Sequence, residues 1–449
     1  MDWTLAVTAI SMLFAGIFLC AYVGLNWSLS SILLALLLLL HGPAYIYYIK
    51  VWGPASGYLD FVLTVSAGQP VIETVNIALA IMFAGVCFGI FLADFLAQNR
   101  PAKMEKAIDQ WKPEAILFDS KDRQKIRLMI LAVTVLMVPF LVFDNQIGNV
   151  IVYFGTLGGE TEKIDLRRQY GGSSIYLYNL LTSNFVPFLA FCGLAAMKLG
   201  KWKGTLLLVT FVALIMLAKL AALSKGPFAI LLIQFGVVIA MTRSIRLSAK
   251  KLLLILGLVI ATFVGMVLLV NAGQEMEGLV FDILIYRSLM IPNESIVEYF
   301  SAIPYVLDFT WGGQISWLAT LFQSEPKLPT YWLVGEVHRG SLGSTTTAMF
   351  LADAWADFSW FGVVGFPILA GACVRAIDIK LLTVGRPTVW KLGALAMGHF
   401  GLYVAMNTSF TTALLTGGLM FAVPFAVWLP RWTLKTGSRN KPLSNRATP

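Results

Sequence analysis

Charged residues are scarce in this chain. Only 13% of its 449 residues are Asp, Glu, Lys or Arg, about half of the roughly 25% found in ordinary soluble domains. Hydrophobic residues make up 58% of the sequence. A soluble core could not bury so much apolar surface, so the composition excludes a water-soluble globular protein and requires the bilayer as solvent for most of the chain.

Cysteine and histidine are also few, at four and three residues. All four cysteines lie in apolar runs, which excludes a disulfide framework and a zinc site in an aqueous loop. The sequence contains no Walker loop, no dinucleotide fingerprint and no His/Cys cluster. The first predicted outer loop, residues 50–71, lacks the acidic pair of metal-dependent glycosyltransferases that use polyprenyl-phosphate sugars. We therefore expect neither a metal nor a cofactor.

Long apolar runs are what the chain does contain. Because a bilayer core needs roughly 20 apolar residues per helix, they predict an all-α polytopic membrane protein with about 11 spans. Residues 1–449 then form a single integral membrane domain. The first run follows Asp2, with no basic region before it and no convincing cleavage site, so we expect a retained helix. The predicted spans are Trp3–Val23, Leu29–Ile49, Ile72–Phe95, Ile126–Phe143, Ile175–Met197, Gly204–Ala222, Pro227–Met241, Leu252–Val270, Thr347–Val374, Leu392–Met406 and Ala413–Leu429.

Lys and Arg predict the orientation of these spans. One alternate set of loops holds 24 of the 33 basic residues, which assigns that set to the cytoplasm. With an odd number of spans, the C-terminus is then cytoplasmic and the N-terminus lies outside. The net charge of +9 therefore needs no nucleic acid partner. The cytoplasmic set comprises residues 96–127, 198–203, 243–251, 375–391 and 431–449.

Two outer loops are enlarged, residues 145–174 and residues 271–346. Eleven of the 24 acidic residues fall in them. The second is about 76 residues long, too long for a simple connection. It is rich in Trp and Tyr, and we expect it to be partly helical and to lie on the membrane surface.

Basic residues in the outer segments oppose the charge rule and require a reason. Arg167 and Arg168, in EKIDLRRQYGG, could pair with neighbouring carboxylates or bind an anion through their planar guanidiniums. Arg287, in DILIYRSLMIPNES, is costly in its apolar surroundings unless Asp282, Glu294 or a ligand phosphate pairs with it. Lys225, at the mouth of the seventh predicted span, could lie in the interface or bind an anion at a helix N-terminus.

Several residues could act as acid or base. His338, followed by Arg339, is the only histidine in a predicted aqueous loop, whereas His41 and His399 lie inside spans and favour structural roles. Two carboxylate pairs have the i, i+4 spacing that brings side chains to one helix face, with helix stabilisation as the alternative role. These pairs are Glu294 with Glu298, and Asp353 with Asp357.

At four places the sequence is similar to one family of enzymes. The stretches are DLRRQYGG, ALSKGPFAILLIQFGVVIAMTRS, IYRSLMIPNES and GSTTTAMFLADAWADFSWFGVVGFPILAG. Together with many spans and two large outer loops that carry basic residues, they resemble the O-antigen polymerases (Wzy type). Some members have glycine eleven residues after an arginine in both loops, where this chain has Asn179 and Glu298.

The resemblance implies a metal-independent glycosyltransferase with a GT-C-like architecture in the bacterial inner membrane. Such enzymes transfer a growing glycan from undecaprenyl diphosphate to a new lipid-linked oligosaccharide unit on the periplasmic face. A chain-length regulator protein is a further implied partner, beside the lipid bilayer. Carried over, the catalytic candidates are Arg168, Arg287, Glu294 and His338. The candidates for binding the diphosphate are Arg167, Arg168, Lys225, Arg287 and Arg339, and the secondary candidates are Glu298, Asp353 and Asp357.

Two alternatives stay open. An O-antigen ligase uses the same donor and relies on a loop histidine, which His338 could supply. A flippase for lipid-linked oligosaccharides would require charges within the spans and inverted repeats. Charge within the predicted spans is scarce and no repeat is evident, which favours the enzyme.

Overall fold

The computed structural model describes residues 3–143, 180–201, 226–247, 282–315, 328–340 and 346–432, together with residues 210, 212, 257 and 261. Of these described residues 79% are helical, and none lies in a β-strand. The all-α fold predicted from the hydrophobic pattern is thereby confirmed for this part of the chain.

Long apolar helices alternate with short helices and turns along the described chain. Several of the long helices continue into a π-helical segment at one end. The α-helices are α1 (Trp3–Phe18), α2 (Leu29–His41), α3 (Pro43–Tyr47), α4 (Gly53–Ser56), α5 (Tyr58–Val65), α6 (Val71–Leu96), α7 (Pro101–Asp109), α8 (Ser120–Phe143), α9 (Val186–Lys198), α10 (Gly226–Arg243), α11 (Ile291–Ala302), α12 (Thr330–Arg339), α13 (Phe350–Asp378), α14 (Val389–Ala405), α15 (Phe410–Leu415) and α16 (Ala422–Trp428). The π-helical segments are Leu19–Val23, Tyr48–Trp52, Leu181–Phe185, Asp282–Met290 and Ile379–Thr383, and the 3₁₀ turns are Pro113–Ala115 and Leu429–Arg431.

Five of the described helical segments are long and apolar enough to cross a membrane. Each overlaps a span predicted from the sequence, so a helical membrane protein is the fold class that the structure supports. The total of about 11 spans stays a prediction. Four described predicted spans, Ile126–Phe143, Pro227–Met241, Leu392–Met406 and Ala413–Leu429, are not among the five. Two more, Gly204–Ala222 and Leu252–Val270, fall almost wholly outside the described residues. The five segments are Trp3–Val23, Leu29–Ser56, Val71–Leu96, Leu181–Lys198 and Phe350–Thr383.

The helices α1 and α6 run parallel to each other. Near their N-terminal ends, Thr8 donates to the Asn76 carbonyl at 2.7 Å. Near the other ends, Tyr22 donates its hydroxyl proton to Asp94 at 3.1 Å. Parallel packing is what the prediction requires of two odd-numbered spans.

Close packing of α6 against α13 depends on glycine. A Cβ atom on Gly89 would lie 2.1 Å from the Ile368 carbonyl oxygen, and one on Gly371 would lie 2.2 Å from that of Val86. Small residues let membrane helices approach at backbone distance, which gains van der Waals contact where lipid gives no hydrophobic driving force. These two helices form the centre of the bundle.

Segments that the charge rule assigns to the cytoplasm meet at one end of the bundle. Arg246 lies 2.7 Å from Asp109, and Lys201 donates to the Ile116 carbonyl. These contacts join three predicted cytoplasmic loops, as a common side would require. Which end faces the cytoplasm stays a prediction.

A buried ion pair joins α6 to α13 near this end. Arg375 donates to both carboxylate oxygens of Asp94 at 2.8–3.0 Å, and the two side chains are only 1% and 2% exposed. The sequence assigned Arg375 to a loop, but the structure has it inside α13. Each charge compensates the other, as membrane depth demands.

The helix α13 is interrupted after its first turns. Ser359 has φ 54° and ψ −141°, a conformation that costs energy for a residue with a side chain. A Cβ atom on Gly362 would lie 1.9 Å from the Ala354 carbonyl oxygen, so the break requires glycine there. The first turns, with Asp353 and Asp357, can therefore point away from the line of the longer second part.

Candidate functional site

The helix α11 is the centre of the candidate site. It begins with Pro292 in its first turn, where proline is favoured, and every residue from Asn293 to Ala302 is buried. It contacts α2, α5, α6, α12, α13 and the π-helical segment Asp282–Met290. The second outer loop was expected to be partly helical and to lie on the membrane surface. This part of it is helical, but it packs inside the protein.

Glu298 on α11 is fully buried and firmly held. Its Oε1 accepts the Tyr58 hydroxyl proton at 2.6 Å, and the Arg339 guanidinium donates to its two oxygens at 3.2 and 3.4 Å. Burial, together with the charge of Glu298, raises the pKa of Tyr58, so the phenol stays a donor. Arg339 keeps 34% of its side chain exposed, so this cluster joins the interior to the surface.

His338 connects α12 to the C-terminal half of α11. Its Nε2 lies 3.0 Å from the Glu298 carbonyl oxygen and 3.1 Å from the Ser301 hydroxyl. Burial lowers its pKa, so the ring is neutral at pH 7, and donation to the carbonyl assigns the proton to Nε2. The sequence placed His338 in an aqueous loop. The structure instead has it 4% exposed on a helix.

Glu294 lies one helical turn before Glu298, in different surroundings. It is 4% exposed, and the Tyr286 hydroxyl lies 3.4 and 3.5 Å from its two oxygens, longer than the usual O–H···O hydrogen bond. Burial, and then the charge of Glu298, raises its pKa to about 7. The site therefore contains one carboxylate that is paired with Arg339 and one that has no cation partner among the described residues and titrates near neutrality.

Arg287 is exposed on the π-helical segment directly before α11. The ion pair with Glu294, one of the alternatives that the sequence left open, is absent from the described contacts, in which the hydrogen bonds of Glu294 come from Tyr286. No ion pair of Arg287 is found among the described side chains, and the Asp282 side chain is outside them. Among the described side chains the Arg287 guanidinium is therefore unpaired, on the segment that leads into α11.

Asp353 and Asp357 lie on another side of α11. Asp353 accepts the Tyr299 hydroxyl proton at 3.3 Å, and Asp357 accepts that of Thr310. Next to them, Trp355 stacks on Phe300 with ring centroids 4.6 Å apart. These carboxylates are joined to the site through α11 but do not contact its glutamates.

The remaining candidate residues lie outside the part of the chain that the structure describes. Arg167, Arg168, Lys225 and the whole loop 145–174 lie outside the described residues, as do parts of the loop 271–346. Across the described side chains, no group of three or more His, Cys, Asp or Glu could hold a metal ion.

Two tyrosines of the site were not predicted. Tyr58 and Tyr286 come from segments 240 and eight residues away from the glutamates they contact. Both tyrosines stand in largely apolar stretches of sequence, and their spacing from the glutamates matches no recognisable motif. The only available signal was that two glutamates in a buried helix need partners, which does not say where the partners are.

Comparisons with protein-family models, with curated proteins and with solved structures give no match for this chain. The chemistry of the site is therefore the basis on which a function is proposed.

Proposed function

We propose that the protein is a glycosyltransferase that polymerises undecaprenyl-diphosphate-linked oligosaccharide units into O-antigen or a related surface polysaccharide. It would act on the periplasmic face of the bacterial inner membrane, as an 11-span protein of GT-C-like architecture. The substrate class comes from the resemblance in sequence. The observation that supports the chemistry is the cluster of Glu294, Glu298, Tyr58 and Arg339 within the predicted outer segments.

Glycosyl transfer from a lipid diphosphate makes two demands on a protein. The acceptor hydroxyl must lose a proton as its oxygen bonds to the anomeric carbon. The bond from that carbon to the diphosphate oxygen must break, and the electron pair stays on the diphosphate. A base near the acceptor and cations near the leaving oxygen meet these demands.

The arginines around α11 suit the leaving group. Arg287 is exposed directly before the helix, and the partly exposed Arg339 pairs with the buried Glu298. Guanidinium binds phosphate oxygens in pairs and keeps its charge at any physiological pH. Arg168 and Lys225 remain further predicted contacts, and Arg167 an alternative to Arg168.

The lipid part of the substrate fits the surface of the bundle. The first span exposes Ile10, Leu13 and Ile17, each more than half accessible. Such a face is stable only against acyl chains, so a prenyl chain can lie in the same layer. The diphosphate would then stay at the predicted outer end, near α11.

An O-antigen ligase is the second candidate, because His338 lies against Glu298. That histidine is nearly inaccessible and uses Nε2 within the protein, which favours the polymerase. A transporter would use charge within its spans, and Asp94 with Arg375 is such a charge. The two charges neutralise each other in a buried ion pair, so a structural role accounts for both residues.

Replacing Arg287 tests the polymerase directly. We expect Arg287→Ala to abolish long surface glycans and to leave a single capping unit on a lipopolysaccharide gel, with Arg287→Lys only partly active. The exposed Arg386, in a predicted cytoplasmic loop, supplies the matched control, and Arg386→Ala should keep the normal ladder. Long chains that persist in Arg287→Ala at normal expression would rule out this arginine, and loss of even the capping unit would indicate a ligase.

A further inference from the structure

The two glutamates of α11 differ in how many of their lone pairs are used. Glu298 receives three contacts of 2.6 to 3.4 Å from Tyr58 and Arg339. A proton placed on it would disrupt a buried charge-assisted pair, which is unfavourable. Glu298 is therefore a poor proton acceptor, although it has the right chemistry.

Glu294 has the opposite arrangement. Within the described structure no cation pairs with it, and its hydrogen bonds are the two long ones from Tyr286. The ionised Glu298 one turn away opposes a second negative charge. Glu294 can therefore take up a proton at little cost to its neighbours.

The elements packed against α11 carry other titratable groups. Those with a direct effect on Glu294 are Glu298, Arg339 and Tyr286. Other charged or titratable groups on neighbouring elements are Arg287 on the preceding segment, Tyr48 and Lys50 on the Tyr48–Trp52 segment, Tyr58 and Asp60 on α5, Tyr331, Glu336 and His338 on α12, Asp353, Asp357, Arg375 and Asp378 on α13, His41 on α2, and Glu73 and Asp94 on α6. His41 hydrogen-bonds to Asn293, His338 to the Glu298 carbonyl and Asp353 to Tyr299. None of these three hydrogen bonds involves the Glu294 carboxylate.

We infer that Glu294 accepts the proton of the acceptor hydroxyl through the Tyr286 hydroxyl, while Glu298, Arg339 and Tyr58 form a fixed support. This inference rests on the proposed glycosyl transfer. Tyr286 is half-buried and Glu294 is almost wholly buried, so the tyrosine is the group that an acceptor can reach first.

The proton transfer balances in one step. The acceptor O–H bond breaks and its proton passes to Tyr286, whose own proton passes to Glu294. The acceptor oxygen forms its bond to the anomeric carbon, and the diphosphate leaves with the electron pair. Glu294 returns the proton to water before the next cycle. His338 is a positioning residue in this scheme, because it holds Glu298 by the backbone.

The pH dependence of turnover tests the inference. Wild-type protein in nanodiscs, supplied with undecaprenyl-diphosphate oligosaccharide, should release undecaprenyl diphosphate about tenfold faster per pH unit up to pH 7, then level off. Glu294→Gln should lose about 100-fold at pH 8, together with the pH slope. Tyr286→Phe should lower the plateau about tenfold and keep the slope. Asp60→Asn, a matched carboxyl change at an exposed position on α5, should leave both unchanged.

A second readout is independent of turnover. Infrared difference spectra of wild-type protein without substrate should contain a carboxyl band that titrates near pH 7. Glu294→Gln should lose this band, whereas Asp353→Asn should retain it. Tyr286→Phe should keep this band. If Glu294→Gln fails to fold, the lowered plateau of Tyr286→Phe with an unchanged pH slope tests the inference instead.

The outcomes separate the two proposals. Wild-type protein that has the band but never turns over contradicts glycosyl transfer. Active Glu294→Gln protein with an unchanged slope overturns the role of Glu294, and so does a slope that disappears in His338→Gln while it persists in Glu294→Gln.

Discussion

Glu294 and Glu298 are two buried glutamates, one helical turn apart, whose hydrogen-bond and ion-pair partners differ. The i, i+4 spacing correctly predicts one helix face for both. What separates them is the supply of partners, since Arg339 and Tyr58 reach Glu298 and only Tyr286 reaches Glu294. Arg339 and Tyr58 come from segments 41 and 240 residues away, so the sequence could name both carboxylates as candidates but could not choose between them.

This difference predicts opposite effects of two equivalent substitutions on stability. The pKa of Glu294 rises from 4.5 to about 7 on folding, because burial and Glu298 oppose its charge. A raised carboxyl pKa stabilises the fold below pH 4.5, and this contribution is lost as pH rises to 7. Glu294→Gln should therefore raise the free energy of unfolding above pH 7 by on the order of 3 kcal/mol at most. The melting temperature should rise with it, and the gain should vanish near pH 4.5.

Glu298→Gln serves as the paired comparison. It leaves Arg339 without its carboxylate, so thermal unfolding in detergent at pH 7.5 should begin at a lower temperature than in wild-type protein. Equal melting temperatures for the two variants at this pH would contradict the assigned surroundings of both glutamates.

At the scale of elements, hydropathy predicted the bounds of the long apolar helices. The run Trp3–Val23 was predicted with the bounds that the structure has, and Ile72–Phe95 is one residue short at each end of α6. The break at Ser359 was not predicted, because it depends on Gly362 meeting Ala354 across a turn. The burial of α11 was also missed, since its polar residues are satisfied by helices that local pattern does not reveal.

The contact between α6 and α13 predicts a sharp cost for one methyl group. Gly89→Ala would bring a carbon to 2.1 Å from the Ile368 carbonyl oxygen, so the two helices must separate and lose packing. We expect a lower melting temperature and a smaller monodisperse fraction in detergent than for wild-type protein.

Gly365→Ala is the matched control on α13. A Cβ atom there meets nothing within 4 Å, and alanine is favoured over glycine in a helix by about 1 kcal/mol. Stability should stay equal or rise slightly. If Gly89→Ala behaves like Gly365→Ala, close packing of these helices is not important to the fold.

For the whole molecule, charge distribution predicts which loops share a side. The structure joins several of them, as in the contact of Arg246 with Asp109. Neither pattern states which side faces the cytoplasm, because a bundle has the same internal contacts in either orientation. The positive-inside rule supplies that information from outside the fold.

Thiol labelling can test the orientation. In a variant without its four native cysteines, Asp60→Cys should react with a membrane-impermeant maleimide in intact cells, and Arg386→Cys should react only after lysis. Both positions are exposed, so accessibility depends only on the side. The reverse labelling pattern would show that the predicted orientation is wrong.

The ion pair between Asp94 and Arg375 also has a consequence for biosynthesis. Its partners are 281 residues apart, and Asp378 of the same helix caps the start of α2 from 349 residues away. At about 5–20 residues per second, the ribosome needs on the order of 15–60 s to supply Arg375 after Asp94. During that interval α6 carries an unpaired charge in an apolar helix, which makes the nascent chain a substrate for membrane chaperones and quality-control proteases. A chain that stops before α13 could never leave that state.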